Sequence, residues 1–232
     1  MSNPTKFDHV GSSIPRPNLE RLTQGRGQYI DDMVLPRMAH VVFWRSPVAH
    51  GRITAIEIDE AKVMPGVLAV FTGEDLAKVC KPWVATLTHL AGIKSAPEYP
   101  MAVDRMVWQG EPVVAVVAET RAQAEDALQF VQVEWEDLPA VVDMKTALAA
   151  STPVIHPELG DNLCFARSLD TTKTMPDDLE ANVDAAFAKA DVVCEATFDF
   201  GRHTGVTLET RCQIADYNPA QKQLTVYHSQ QA

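Results

Sequence analysis

The sequence predicts an α/β fold, and three observations carry that expectation. Two runs of strand length, Met38–Trp44 and Val113–Ala118, are apolar on both alternating sets of positions or throughout, as strands covered on both faces are. Ala124, Ala127, Leu128 and Val131 then fall at i, i+3, i+4 and i+7, one helical face between Val113–Ala118 and a further strand at Gln132–Trp135. At 232 residues, 46% apolar and 22% charged, the chain is also long enough to bury a core without staples. A strand–helix–strand order of this kind belongs to layered mixed domains.

The elements follow in order. Residues 1–14 are polar and aperiodic and read as an extended arm. Gly25-Arg26-Gly27 lacks the preceding strand and the third glycine of a dinucleotide loop, so it reads as a tight turn. Asp31 and Asp32 are adjacent and point apart, which favours turn and capping roles over metal binding. After the strand at Met38–Trp44, a turn around Ser46–Arg52 leads to a second strand near Arg52–Asp59. Pro65-Gly66 breaks the chain before a buried strand at Val67–Phe71, and Thr72 is placed to cap a helix with Glu74 and Asp75 in its first turn. Pro82, Pro97 and Pro100 mark residues 81–105 as loop. Thr120 and Gln123 have capping-box spacing at the head of the next helix.

The pattern lapses over residues 151–175, a candidate linker. A helix opens at Pro176, with Asp177 and Asp178 in its first turn, Lys189 near its end and a stripe of Leu179, Val183, Ala186, Phe187 and Ala190. Asn218-Pro219 then signals a turn, so Cys212–Ala215 and Leu224–Tyr227 are expected to pair as an antiparallel hairpin. The final stretch, QLTVYHSQQA, reads as a strand leading onward rather than as a polar tail.

Composition excludes several functions. A net charge of −11, from 20 Lys+Arg against 31 Asp+Glu, gives no basic footprint for nucleic acid or an anionic membrane. Cys80, Cys164, Cys194 and Cys212 have no zinc or Cys-x-x-Cys spacing, so free thiols in a reducing, cytoplasmic setting are expected. No apolar run has the length of a membrane span. The seven histidines form no H-E-x-x-H pattern, and no G-x-S-x-G elbow is present. Trp44, Trp108 and Trp135 are expected in the core. Residue chemistry alone yields no catalytic constellation, and Gln230-Gln231 reads as a pair of surface amides.

Several longer stretches, taken in their order, point further. GRGQYIDDMVLPRMAHVVFWRSPVAHGRI (25–53), MPGVLAVFTGEDL (64–76), WQGEPVVAVVAETRAQAEDAL (108–128) and VQVEWEDLPAVVD (131–143) together resemble the α/β hammerhead domain of the xanthine dehydrogenase/aldehyde oxidase family of molybdenum hydroxylases. The likeness is strongest to the branch containing aerobic carbon monoxide dehydrogenase large subunits. VDAAFAKADVVCEATF (183–198) and LETRCQIADYNPAQKQLTVYHSQQA (208–232) resemble the opening of that family's molybdopterin-binding domain.

The resemblance implies a hammerhead domain over residues 15–150, a linker over 151–175 and a partial molybdopterin-binding α+β domain over 176–232. It implies a large-subunit portion of an enzyme oxidising an aldehyde, an aromatic N-heterocycle or CO with water oxygen. The cofactor would be molybdenum–molybdopterin, held only in the completed subunit, with Fe–S and FAD on partner chains or domains. The implied partners are the remainder of the large subunit, an Fe–S subunit, an FAD subunit and a small-molecule substrate. In the family, a strand ending S-x-Q-A-P-H brings its glutamine near the metal's oxo ligand. Gln231 matches that position, which implies a catalytic and cofactor-binding role, with no metal ligand. The family's later cofactor loops and its glutamate base match nothing in these residues, so the isolated chain is expected to be inactive. The competing expectation is a non-catalytic assembly module, one half of a split large subunit or a truncated remnant.

Overall fold

The structure is a computed structural model that describes residues 13–87, 90, 92–166, 179–201 and 203–230, with backbone alone at 179–182 and 184. The chain divides into two units, Met1–Arg37 with Thr197–Ala232, and Met38–Ala196. Helix α1 (Leu19–Thr23) begins the smaller unit; the sequence shows no periodicity there, because a helix of one turn buries no stripe. Gly25 turns the chain at φ +68, and Asp32 caps a short 3-10 turn by accepting from the Tyr29 backbone N–H at 2.9 Å. Both outcomes match the turn and capping roles expected of these residues.

The larger unit is built on two three-stranded sheets. One has the order β1 (His40–Arg45), β5 (Pro112–Ala118), β3 (Val67–Thr72). The other has the order β4 (Arg105–Met106), β2 (Gly51–Glu57), β6 (Gln132–Asp137). Every pairing is antiparallel. The strand–helix–strand unit expected around α4 (Arg121–Leu128) is present, yet its two strands enter different sheets, β5 in the first and β6 beside β2. The centre of the first sheet goes to β5 because its side chains are apolar throughout. Val113, Val114, Val116 and Ala118 are all fully buried.

Ala124 and Ala127 are the fully buried side chains of α4, which packs on β1, β3 and β5 and touches the short helix α2 (Asp59–Lys62). Small residues there let the helix approach the sheet closely. Trp44 and Trp135 join the core with ring centroids 6.1 Å apart. Trp108 does not: it is 49% exposed, in the turn after β4. The other face of β1, with Val41 and Phe43, also stays exposed. Apolarity on both faces predicts two covers, and the described elements of this unit supply only one. Thr120 caps α4 by accepting from the Gln123 N–H, but the Gln123 amide oxygen takes the Thr120 hydroxyl rather than its backbone N–H. The box is therefore half formed.

The cap of α3 (Gly73–Ala77) is complete and carries a pH prediction. Asp75 Oδ2 accepts from the Thr72 N–H at 3.1 Å and hydroxyl at 3.0 Å, while Oδ1 pairs with Lys78 at 3.1 Å. The Thr72 backbone N–H, then Lys78, then the Thr72 hydroxyl hold its pKa down to about 2. A depressed carboxyl pKa contributes stability that is present above the unfolded value and is lost as pH falls through the folded one. Asp75→Asn is expected to cost about 1 kcal/mol at pH 7. That gap to the parent should narrow as pH drops from about 4 towards 2, measured by urea midpoints. A gap independent of pH would mean the charge contributes nothing.

Helix α5 (Leu179–Lys189) lies where the apolar stripe predicts a helix, with Val183 and Phe187 exposed; Pro176, its expected start, lies outside the described residues. In the smaller unit, β7 (Gln213–Asn218) pairs antiparallel with β8 (Gln223–His228), Ile214 opposite Tyr227 and Ala215 opposite Val226. Asn218 Oδ1 shapes the turn by accepting from the Ala220 and Gln221 N–H groups. The hairpin is the one expected, each strand six residues where the sequence predicts four, with β7 starting one residue later. None of the four cysteines forms a disulfide. No described helix is long and apolar enough to cross a membrane.

Candidate functional site

The hairpin delivers the chain to the glutamine pair. Past the last ladder position, Ser229 continues the pairing: its N–H donates to the Cys212 carbonyl at 3.3 Å, and its Oγ accepts from the Cys212 N–H at 3.1 Å. The same hydroxyl donates to the Thr210 carbonyl at 2.9 Å. Nearby, Glu209 accepts from the Ile30 N–H at 3.0 Å, tying the segment before β7 to the turn at residue 30. Gln230 follows, exposed, in a bend. Gln231, the one candidate site residue, lies outside the described residues.

Around this hairpin the apolar side chains are bare. Phe198, Phe200, Val206 and Leu208 are 83–94% exposed, and Leu224 is more than half exposed. Burying a side chain of this size is worth about 1.5–3 kcal/mol, so their exposure marks surface that a larger body would cover. Within the described residues, no group of three or more His, Cys, Asp or Glu is placed to hold a metal. The described part of the hairpin is largely exposed and carries no such group.

The larger unit holds a separate cavity of about 230 Å³, bounded by most of the 97–107 stretch together with Glu111, His156 and Glu158. Glu111 faces it. Burial pushes the Glu111 carboxyl up, against the pull of the Val107 and Trp108 backbone N–H groups; the Val107 N–H reaches Oε2 at 2.7 Å. Arg105 Nη2 lies 3.7 Å from Glu158, whose other oxygen meets His156 Nδ1 at 3.2 Å. Sequence reasoning missed this cluster. Its one local signal is a glutamate set directly before Pro112, at the head of a fully apolar strand.

Ser46 and His50, which the sequence places in one loop, are both buried without bonding each other. Ser46 Oγ donates to the Val48 carbonyl at 2.7 Å, and His50 Nδ1 meets the Pro139 carbonyl at 2.8 Å. The Ser46 bond stays within the β1–β2 turn, and the His50 bond fastens that turn to Pro139, just past the end of β6.

Comparison with known proteins extends these observations. Residues 24–139 match the model for the aldehyde oxidase and xanthine dehydrogenase α/β hammerhead domain, and residues 155–232 match the molybdopterin cofactor-binding domain. The nicotine 6-hydroxylase large subunit of Paenarthrobacter nicotinovorans is 35% identical over 230 residues, 99% of this chain and 27% of that protein. The carbon monoxide dehydrogenase large chain of Hydrogenophaga pseudoflava is 36% identical over 216 residues, 91% of this chain and 26% of that one. Among solved structures, quinoline 2-oxidoreductase from Pseudomonas putida 86 matches with a TM-score of 0.80 and 34% identity, over 94% of this chain and 26% of that chain. The chain thus spans about a quarter of the length of the relatives it matches. With a hammerhead of two antiparallel sheets followed by a stretch matching the cofactor-binding domain, the chain belongs to the aldehyde oxidase and xanthine dehydrogenase family.

Proposed function

We propose that these residues contribute the hammerhead domain and the first strands of the molybdopterin-binding domain to the large subunit of a molybdenum hydroxylase. The observation that carries this reading is the unbroken order of the two family matches, 24–139 and then 155–232. The reaction class is oxidation of a carbon centre with oxygen from water, on an aldehyde, an aromatic N-heterocycle or CO. Relatives described as a large subunit or as subunit gamma of a complex support the presence of partner chains; in this reading those chains carry the Fe–S clusters and FAD. The chemistry supplied by bound molybdenum–molybdopterin is the two-electron oxidation. From this chain, Gln231 supplies an amide donor for an oxygen at that site. An amide cannot act as the base, so proton abstraction falls to a carboxylate outside these residues. The 232-residue chain alone is expected to hold no stoichiometric molybdenum and to show no dye-linked oxidation. Both should appear when the rest of a large subunit and its electron-transfer chains are supplied. Metal and turnover from the chain alone would sink this reading.

A second reading, a non-catalytic assembly module, is favoured by one observation: bare apolar side chains at Phe198, Phe200, Val206 and Leu208. The two separate on reconstitution with the rest of a large subunit and its partner chains. Turnover in the assembled complex supports the enzyme reading. Assembly without bound molybdenum or turnover supports the module.

A further inference from the structure

Residues 143–164 form a loop knit to itself. The Asn162 amide donates to the Ala147 carbonyl at 3.0 Å and the Pro153 carbonyl at 2.9 Å, and its oxygen accepts from the Ile155 N–H at 3.0 Å. Thr152 Oγ1 donates to the Thr146 carbonyl at 2.6 Å. None of its apolar side chains joins the buried core, which ends in sequence at Val133. Val154, Ile155, Leu159 and Leu163 are half-buried, so apolar contact contributes only part of what holds this loop on the domain.

Two cations of the domain supply its charged contacts. Lys94 Nζ donates to Asp161 Oδ1 at 2.7 Å and to the Leu159 carbonyl at 3.3 Å. The Lys94 backbone N–H donates to the Cys164 carbonyl at 2.8 Å, and its carbonyl receives the Cys164 thiol at 3.2 Å. Arg105, whose side chain is 25% exposed, pairs with Glu158. Opposing them, Glu98, Asp104 and Glu111 line the same cavity as Glu158, so the loop's carboxylate meets like charges. The attraction is ionic, partly exposed and partly offset, which makes it sensitive to screening.

We propose that residues 153–164 are an ionic strap, closed over the 97–111 cavity by Lys94 and Arg105 and released by salt. Release opens one wall of the cavity and frees the chain where it passes from the hammerhead match to the cofactor-binding match. The strap thus sets how firmly that junction is tethered.

The test is hydrogen exchange of the whole chain in about 0.05 M and 1 M NaCl. Peptides spanning 153–164 are expected to exchange roughly tenfold faster in high salt, while those covering 113–118 in β5 stay unchanged. Lys94→Met should exchange fast in 153–164 already at low salt and lose most of the salt response. Equal exchange of 153–164 in the parent at both salts overturns the proposal. So does Lys94→Met retaining parental protection. If Lys94→Met also loses protection over 113–118, the variant is misfolded and the parental salt response decides.

Discussion

Replacing Gly73 by alanine is expected to destabilise the larger unit by about 3 kcal/mol or more, although alanine is the better helix former. Gly73 is the first residue of α3 and is buried against residues 101–102. An added methyl would fall on the Ala102 carbonyl oxygen and lie 2.6 Å from its carbon. That obstacle is backbone, so no rotamer change relieves it. Ala102 is itself fixed, buried and donating its N–H to the Pro112 carbonyl at 2.8 Å, where β5 begins. Either α3 must back away, breaking the Thr72–Asp75 cap, or the 101–102 segment must leave β5. For a unit of this size, the thermal midpoint should fall by roughly 6–12 °C. Gly160→Ala is the control. Gly160 has φ +85 and nothing within 4 Å of an added carbon, so it carries only a backbone penalty of about 1–2 kcal/mol. If Gly73→Ala were no worse than Gly160→Ala, the approach of α3 to residues 101–102 would be wrong.

Signals in the sequence are legible where the chemistry is local. Thr72 caps and Asn218 turns because each depends on neighbours within four residues, and the helical spacing of Ala124 and Ala127 marks the face of α4 that packs. Periodicity does not name the partner of each strand. A continuous apolar run tells that β5 is central, but not that β6 leaves it for β2, a choice made by packing across the domain. The same limit hides the strap, since Lys94 and Asp161 lie 67 positions apart and each looks like an ordinary surface charge. Trp108 departs from its expected place in the core for a related reason. Its neighbours are apolar, yet the turn at Gly110, φ +95, takes it out of the strand. For the candidate site, residue chemistry offers two surface amides, and only family resemblance raises Gln231 above its neighbour.

That contrast between neighbours is the sharpest test of the site. In a completed large subunit with its partner chains, Gln231→Ala is expected to lower turnover by about a hundredfold, the scale of losing one preorganised donor at a reacting oxygen, roughly 3 kcal/mol. Its effect on the thermal midpoint should be small, since a strand-end amide contributes within about 0.5 kcal/mol to folding. Gln230→Ala should leave turnover nearly unchanged. Ser229 extends the hairpin pairing one position past His228 through Cys212 and Thr210. Tyr227 and Ser229 are half-buried and Gln230 is exposed, and neighbouring residues of an extended segment face opposite sides. Turnover, KM and thermal midpoint are measured for both variants. A donor that acts on the developing charge lowers kcat with little change in KM. Equal losses at the two positions, or the larger loss at Gln230, would place the wrong amide at the cofactor. Loss of the midpoint in parallel with turnover would make Gln231 a structural residue.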